Sequence, residues 1–299
     1  SAASSDKSAA SLGTPSCSAP ATHPGAGEAA PEPAGCAAGG HRKIGVVRQP
    51  TLQLGATGVR RCEASRPHRR YLSWNDHGTL KFFPPGKEGG SGPGQVVVEY
   101  SRERGAAGVR EVRAPCGLAH GALGPGTFAL AANPHGSAAR LSVHVATPSL
   151  KAASFEHTLP DGEHIDAVAV SRHFVAAFTS PLRLLRIHSL SGVPFGAISC
   201  VGSVVCLAAH EDLLLCVMRA PGSEEAPEPQ LEFALYGVSA RERLAVGAVP
   251  LSPMSCLRWA GISTEALPLT LDSAGTLRAL VLCGTGGPTL APAAGEWVP

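Results

Sequence analysis

The sequence has few aromatic and few charged residues, and it lacks any long hydrophobic run. Aromatic residues make up 5% of the 299 residues and charged residues 16%, whereas apolar residues reach 44%. No stretch of 18 consecutive apolar residues occurs, so the sequence predicts no membrane-spanning helix. The N-terminus has no apolar region of the kind found in signal peptides. The apolar content is nevertheless enough for a sizeable buried core.

The cysteines lack the pattern of a disulfide framework. There are nine of them, an odd number, and none forms a C-x-x-C pair. Several lie inside apolar runs, as Cys206 and Cys216 do. This pattern favours reduced, buried thiols in a cytosolic or nuclear protein.

The sequence also lacks catalytic motifs. Residues 84–88 (PPGKE) fail the phosphate-loop pattern, and there is no H-E-x-x-H or G-x-S-x-G motif. Asp161, Glu163 and Asp166 form the densest acidic cluster of the strand region, and paired carboxylates serve glycoside hydrolysis in some enzymes. A polar turn before a strand is the favoured interpretation. We therefore predict a protein that is not an enzyme, with no catalytic, cofactor-binding or metal-binding residues.

Composition divides the chain into three parts. Residues 1–40 are rich in Ala, Ser, Pro and Gly, and we predict that this low-complexity tail is disordered because it cannot bury enough apolar surface. Residues 41–68 form a basic linker, and residues 69–299 form the predicted globular part. Because the chain starts at Ser1, we expect it to be a fragment of a longer protein.

Basic charge is concentrated before the globular part. Residues 41–70 contain eight Lys or Arg and a single acidic residue, whereas residues 71–299 have sixteen against nineteen. The mildly acidic globular part is a poor candidate for a broad nucleic-acid surface. The basic run is a candidate for DNA contact or nuclear import, and a solvated linker is the alternative. The candidate residues are Arg60, Arg61, Arg66, Arg69 and Arg70.

From residue 71 onward, short apolar runs alternate with turn residues, and one strand pattern recurs. Its copies are GTLKF (78–82), RLSVH (140–144), LRLLR (182–186), QLEFA (230–234) and GTLRA (275–279). Their leucines, from Leu80 to Leu277, lie 61, 43, 47 and 46 residues apart. We attribute the long first spacing to a Gly- and Pro-rich loop at residues 84–94.

A period in the forties with several short strands per period is typical of propeller blades. The sequence therefore predicts an all-β propeller, with a β-sandwich as the alternative. Trp74, Trp259 and Trp297 lie in apolar strand contexts, so we expect all three in the core between blades.

Several stretches together resemble a family of replisome adaptors, which includes the chromosome-transmission-fidelity adaptor and the acidic nucleoplasmic DNA-binding protein, in their SepB-type middle propeller. They occur in the family's order over residues 69–299. The stretches are RRYLSWNDHG (69–78), LPDGEHIDAV (159–168), SPLRLLR (180–186), SLSG (189–192), VGSVVCLAAH (201–210), LRWAGISTE (257–265), DSAGTL (272–277) and EWVP (296–299).

The resemblance implies a six-bladed propeller that forms a homotrimer, and we expect the last blade to be incomplete in this chain. It implies a non-enzymatic nuclear scaffold that links the replicative helicase assembly to the primase-polymerase. DNA is a further candidate partner through the basic linker, and no membrane partner is expected. In the family a helical bundle that captures client peptides follows the propeller, and longer members add an N-terminal WD40 propeller and a C-terminal HMG box. The alternatives are a generic WD-type interaction module outside replication and, with less support, a propeller hydrolase.

Overall fold

The computed structural model describes residues 47–56, 70–85, 94–101, 109–145, 154–223, 226, 228–282 and 295–299. In these residues twenty strands form five four-stranded antiparallel sheets, each made of four consecutive strands. The described residues contain no helix that is long and apolar enough to cross a membrane.

The strands are short, with four to eight residues each, and Gly- or Pro-containing turns separate many of them, which is the arrangement that the turn composition predicted. The first sheet contains β1 (Arg70–Asn75), β2 (Gly78–Phe83), β3 (Gln95–Tyr100) and β4 (Val109–Arg113). The second contains β5 (Leu118–Gly124), β6 (Thr127–Ala132), β7 (Arg140–Val145) and β8 (Ser154–Thr158). The third contains β9 (His164–Val170), β10 (Phe174–Ser180), β11 (Leu184–Ser189) and β12 (Pro194–Ser199). The fourth contains β13 (Val204–His210), β14 (Leu213–Arg219), β15 (Leu231–Gly237) and β16 (Glu242–Val249). The fifth contains β17 (Leu257–Ile262), β18 (Pro268–Asp272), β19 (Leu277–Leu282) and β20 (Gly295–Val298).

The first strands of the sheets line a common centre. Strands β1, β5, β9, β13 and β17 contact one another in that order, and each is the edge strand of its own sheet. Sheets that radiate from a shared axis in this way form a β-propeller. The predicted all-β propeller is therefore confirmed, and the sandwich alternative is wrong.

The core lies in layers between neighbouring sheets. Leu80 and Val98 pack against Phe128 and Leu130 between the first and second sheets. Three similar apolar clusters fill the spaces between sheets two and three, three and four, and four and five. The second, third and fourth sheets are therefore covered on both faces, whereas the first and fifth each use one face.

The period is more regular than the marker leucines indicated. Leu80 lies in the second strand of its sheet, whereas the other four marker leucines lie in third strands. The third strands begin at Gln95, Arg140, Leu184, Leu231 and Leu277, which are 45, 44, 47 and 46 residues apart. The long first spacing therefore comes from comparing two different strands, and our attribution of it to a loop at residues 84–94 was wrong.

The described residues supply five complete sheets and no sixth. Each sheet, the fifth included, has all four strands. Unlike the other neighbouring pairs of first strands, β17 and β1 do not pack extensively against each other in the described part of the chain. The ring formed by the described residues is thus open between the fifth and first sheets.

Ten residues of the predicted linker, 47–56, lie against the first strands. Gln49 is buried and hydrogen-bonds to Leu257 of β17, and Gln53 hydrogen-bonds to Val168 of β9. We call residues 47–56 the axial segment. The predicted disordered tail, residues 1–40, and the rest of the linker lie outside the described residues.

Candidate interaction surfaces and predicted sites

Only one of the five candidate basic residues lies in the described part of the chain. Arg70 begins β1, and its guanidinium donates to the carbonyl oxygens of Leu118 at 2.6 Å and Ala119 at 3.3 Å. Its carbon Cζ also lies 5.3 Å from the centre of the Phe82 ring. These contacts tie the first sheet to β5 of the second. Arg60, Arg61, Arg66 and Arg69 lie outside the described residues.

The acidic cluster is a structural element. Arg186 of β11 donates to both carboxylate oxygens of Glu163, with distances of 2.6, 2.9 and 3.2 Å. Glu163 is buried and Asp161 is exposed. Burial raises the pKa of Asp166, and a hydrogen bond with Ser180 partly opposes that rise. Arg186 thus binds both oxygens of the buried Glu163, which is the bidentate geometry of a structural ion pair.

A second buried carboxylate organises the fifth sheet. Asp272 ends β18 and accepts hydrogen bonds from Arg278 at 2.7 Å, from the Ser252 hydroxyl at 2.7 Å and from the Thr276 amide at 3.0 Å. Burial raises the pKa of Asp272, but these hydrogen bonds outweigh burial and hold it well below its usual value. The network joins the β18–β19 turn to the connection before β17. Asp272 therefore stabilises the sheet and is not poised for chemistry.

Titratable groups do not form a metal site in the described ranges. No three His, Cys, Asp or Glu residues cluster there as metal ligands would. Burial, together with the positive charge of Arg70, lowers the pKa of His120 to about 4. Burial also lowers the pKa of His188 to about 4, assisted by His157, whose ring centre is 4.7 Å away.

Two of the three tryptophans expected in the core are exposed. Trp74 of β1 has 68% of its surface exposed and Trp259 of β17 has 38%. Trp297 of β20 packs edge-on against Phe233 at 5.2 Å, between the fourth and fifth sheets. The prediction was therefore right for Trp297 and wrong for Trp74 and Trp259. The two exposed rings belong to the first strands of the two end sheets, whose outer faces are not covered by another sheet of the described residues.

The fifth sheet presents an apolar face to solvent. Strand pairing places Trp259, Leu271 and Leu277 in one row across β17, β18 and β19. Leu277 is 51% exposed and Val281, four positions along β19, is 42% exposed. We call this surface the outward face of the fifth sheet; it comprises Trp259, Leu269, Leu271, Leu277, Ala279, Val281 and Val298, with the charged Glu296 beside Val281 at its edge. Sequence reasoning missed it, although β19 (LRALVL) alternates less than a strand with one solvated face should.

The outer face of the first sheet is different in chemistry. Lys81 of β2 forms an ion pair with Glu99 of β3, and its ammonium group lies 5.8 Å from the centre of the Tyr71 ring. The rings of Tyr71 and Trp74 lie 6.2 Å apart on β1. Lys81 is buried beside these rings whereas Glu99 is partly exposed, so this face carries a charged pair and amphipathic rings where the fifth sheet carries apolar side chains.

A groove of about 690 Å³ opens between the first and second sheets. Its floor includes Phe82 and Leu130, and Arg140 at its edge pairs with Glu156 at 3.4 Å. The groove is thus apolar below and charged at the rim.

Comparisons with known proteins agree with a propeller of this kind. The family model described as the middle region of the minichromosome loss protein Mcl1 matches residues 50–299. WD repeat and HMG-box DNA-binding protein 1 of Xenopus laevis is 36% identical over 123 residues, which cover 41% of this chain and 11% of that protein. Protein ENHANCER OF LHP1 1 of Arabidopsis thaliana is 35% identical over 118 residues, covering 40% of this chain and 12% of that protein. The matches therefore span about a tenth of these relatives' lengths.

One solved propeller shows a distant likeness. The β-propeller domain of the Trilobed protease from Pyrococcus furiosus superposes with a TM-score of 0.41 and 8% identity, over 74% of this chain and 79% of that one.

Proposed function

Because the chain belongs to the family of the Mcl1 middle region, we propose that it is a non-enzymatic, nuclear scaffold of the replisome that associates with itself through its propeller. Its partners in this proposal are the replicative helicase assembly and the primase-polymerase, which the resemblance implies. The name of the relatives, WD repeat and HMG-box DNA-binding protein 1, supports a role on chromatin.

The outward face of the fifth sheet is the observation that carries the proposal. Exposed apolar patches of this kind on soluble proteins usually mark contacts with other protein surfaces. Rigid sheets around an axis also suit a scaffold, because their edges and faces stay fixed while loops vary. The two buried carboxylates, Glu163 and Asp272, are both occupied by arginine, which is the arrangement of a structural element.

Sedimentation velocity of the 299-residue chain tests self-association. We expect an assembly larger than the monomer at micromolar concentration, and a trimer if the family's state carries over. Leu277→Asp combined with Val281→Asp should shift the chain toward monomer, because each change adds charge to the apolar face. Val193→Asp is the matched control, since Val193 is 58% exposed at a turn of the third sheet. A monomer for the native chain at these concentrations would remove self-association from the proposal.

Affinity capture from nuclear extract tests the partners. The native chain should retain helicase and primase-polymerase subunits, and the Leu277→Asp, Val281→Asp double variant should retain less if self-association multiplies weak contacts. Val193→Asp should behave like the native chain. Recovery of neither set of subunits by any of the three chains would contradict the replisome assignment.

DNA binding through the basic linker is a separate part of the proposal. If Arg60, Arg61, Arg66 and Arg69 each neutralise a phosphate, the logarithm of the binding constant should fall with the logarithm of salt concentration with a slope of about −4. Replacing all four by alanine should abolish that slope. Arg70→Ala is a poor probe, because its guanidinium binds carbonyl oxygens of the second sheet. An unchanged slope in the fourfold variant would exclude these residues as the DNA contact.

The groove between the first and second sheets favours a second candidate function. A generic WD-type module that binds short peptides outside replication would use such a groove and need no helicase contact. Arg140→Glu at the groove rim should then weaken capture of partners, whereas the fifth-sheet double variant should not. The opposite result supports the scaffold. A hydrolase has the least support, since the geometry commits Glu163 to Arg186.

A further inference from the structure

The axial segment crosses the centre of the open ring. Its Leu52 amide donates to the Val205 carbonyl oxygen of β13 at 2.6 Å, and the guanidinium of Arg219 binds the carbonyl oxygen of Gln49. Leu52 and Leu54 pack against the cluster between the fourth and fifth sheets. Gly55 reaches β1. Ten residues thereby contact the first strands of four of the five sheets.

Two glutamines of the axial segment make the same two-way contact with a first strand, which Asn133 also makes with Ile165 of β9. The Leu257 amide donates to Oε1 of Gln49 at 2.7 Å, and Nε2 of Gln49 donates back to the Leu257 carbonyl oxygen at 3.1 Å. Gln53 repeats this exchange with Val168, at 3.2 Å from the amide and 2.8 Å to the carbonyl oxygen. A carboxamide carries one donor and one acceptor side by side, so it copies the paired hydrogen bonds of an antiparallel strand residue.

The inner edges of the sheets explain why such contacts form. As edge strands, β9 and β17 have backbone amides and carbonyls that face the centre without a ladder partner of their own. Buried backbone groups need hydrogen-bond partners. A glutamate at either position could accept from the amide but could not donate to the carbonyl, so the contact selects glutamine.

Near the end of the axial segment, the backbone contact with β1 requires a glycine at position 55. Gly55 has φ of +73°, which favours glycine. A Cβ at this position would lie 2.3 Å from the backbone nitrogen and oxygen of Trp74. Only a residue without a side chain can approach β1 this closely.

From these contacts we propose that the centre of the ring is a binding slot for an extended peptide of the pattern Gln-x-x-Leu-Gln-Leu-Gly, and that residues 47–56 fill this slot within the same chain. The slot recognises the carboxamides of two glutamines four residues apart, two leucine side chains and a glycine. The proposal stands independently of the replisome role.

Binding of the segment in trans tests the slot. The full chain with Gln49→Ala and Gln53→Ala loses four of the contacts that hold the segment, so a labelled, capped peptide of residues 47–56 should displace it. The native chain should bind this peptide roughly a hundredfold more weakly, since a tethered segment competes at an effective concentration in the millimolar range. Thr51→Ala, a change at an exposed position of the segment, should behave like the native chain.

A peptide in which both glutamines are glutamate is the specificity control, and it should not bind the double variant. Equal binding of the two peptides, or no binding of the native peptide to a folded double variant, would overturn the proposal. If the double variant does not fold, hydrogen exchange on the single variant Gln53→Ala decides. Exchange of the Val168 amide should then accelerate while the Leu257 amide stays protected, and an unchanged Val168 amide contradicts the slot.

Discussion

The third and fifth sheets have the same four-stranded topology but face different surroundings. Strand β10 of the third sheet is buried at every residue except its last, because the second and fourth sheets cover its two faces. Strand β19 of the fifth sheet buries only Leu280 fully, on the side of the fourth sheet. The other side is apolar and exposed. Position in the ring, rather than strand composition, therefore decides which apolar residues are buried.

We therefore expect substitutions in the two sheets to have different effects, on folding stability in the third sheet and on association in the fifth. The third sheet has its apolar surface already covered, so changes there should act on folding. The outward face of the fifth sheet contributes little to folding by itself. Substitutions there should therefore weaken the association with the protein surface that covers this face. The predictions below test this separation, beginning with the largest expected effect.

Truncation in the third sheet should have the largest effect. Phe178 of β10 is fully buried in the cluster between the third and fourth sheets. Phe178→Ala removes a large ring and leaves a cavity, so we expect a loss of about 4 kcal/mol in the free energy of unfolding. Urea denaturation followed by circular dichroism measures it. A loss below about 1 kcal/mol would show that the third sheet is not the more tightly packed of the two.

The fifth sheet should depend strongly on its buried carboxylate. Asp272→Ala leaves Arg278 and Ser252 without their shared acceptor, and loss of one member of a buried pair destabilises by about 3 kcal/mol. Because the pKa of Asp272 is lowered in the folded protein, its contribution is complete above the unfolded value of about 3.9 and is lost as the pH falls below it. The difference in unfolding free energy between native chain and variant should therefore shrink below about pH 4. Asp161→Ala, at an exposed turn, should show neither effect.

The repeating sheets were predictable from the sequence, but the sequence did not predict which sheet faces are covered or which distant residues are in contact. Alternating apolar runs and turns, such as Phe174 to Phe178 before the turn at Gly192, reflect local propensity, and the period follows from repetition. Trp74 and Trp259 were misplaced because strand pattern does not tell whether a sheet has a neighbour. Gln49 and Gln53 were missed because their partners lie more than a hundred residues away, and nothing local marks a glutamine that binds a distant backbone.

Acid should weaken the third sheet before the fifth. Burial lowers the pKa of His188 in β11 to about 4, so its neutral form is favoured in the folded protein. Stability is therefore complete above the unfolded value of about 6.5 and falls toward pH 4, at up to about 1.4 kcal/mol per pH unit. The fifth sheet, residues 257–298, contains no histidine. Hydrogen exchange across this pH range should show earlier loss of protection in β10 and β11 than in β18 and β19.

His188→Gln is the matched variant for this pH effect, and it should reduce the dependence between pH 6.5 and 4 without abolishing it, because the pKa of His120 is also lowered to about 4. His164→Gln, at an exposed position, should leave the dependence unchanged. Equal pH dependence of the native chain and the His188→Gln variant would assign the acid sensitivity to another group, of which His120 is the first to test because its pKa is lowered to the same value.

The smallest effect should come from the outward face itself. Leu277→Ala removes a side chain that is 51% exposed, so the free energy of unfolding of the monomer should change by less than about 0.5 kcal/mol. Leu280→Ala, three residues along the same strand but fully buried, should cost about 3 kcal/mol. The pair is measured at several protein concentrations, because a partner that covers Leu277 makes its truncation costly only where the assembly forms. A large, concentration-independent cost at Leu277 would mean that the chain covers this face itself, and the contact surface would then have to lie elsewhere on the ring.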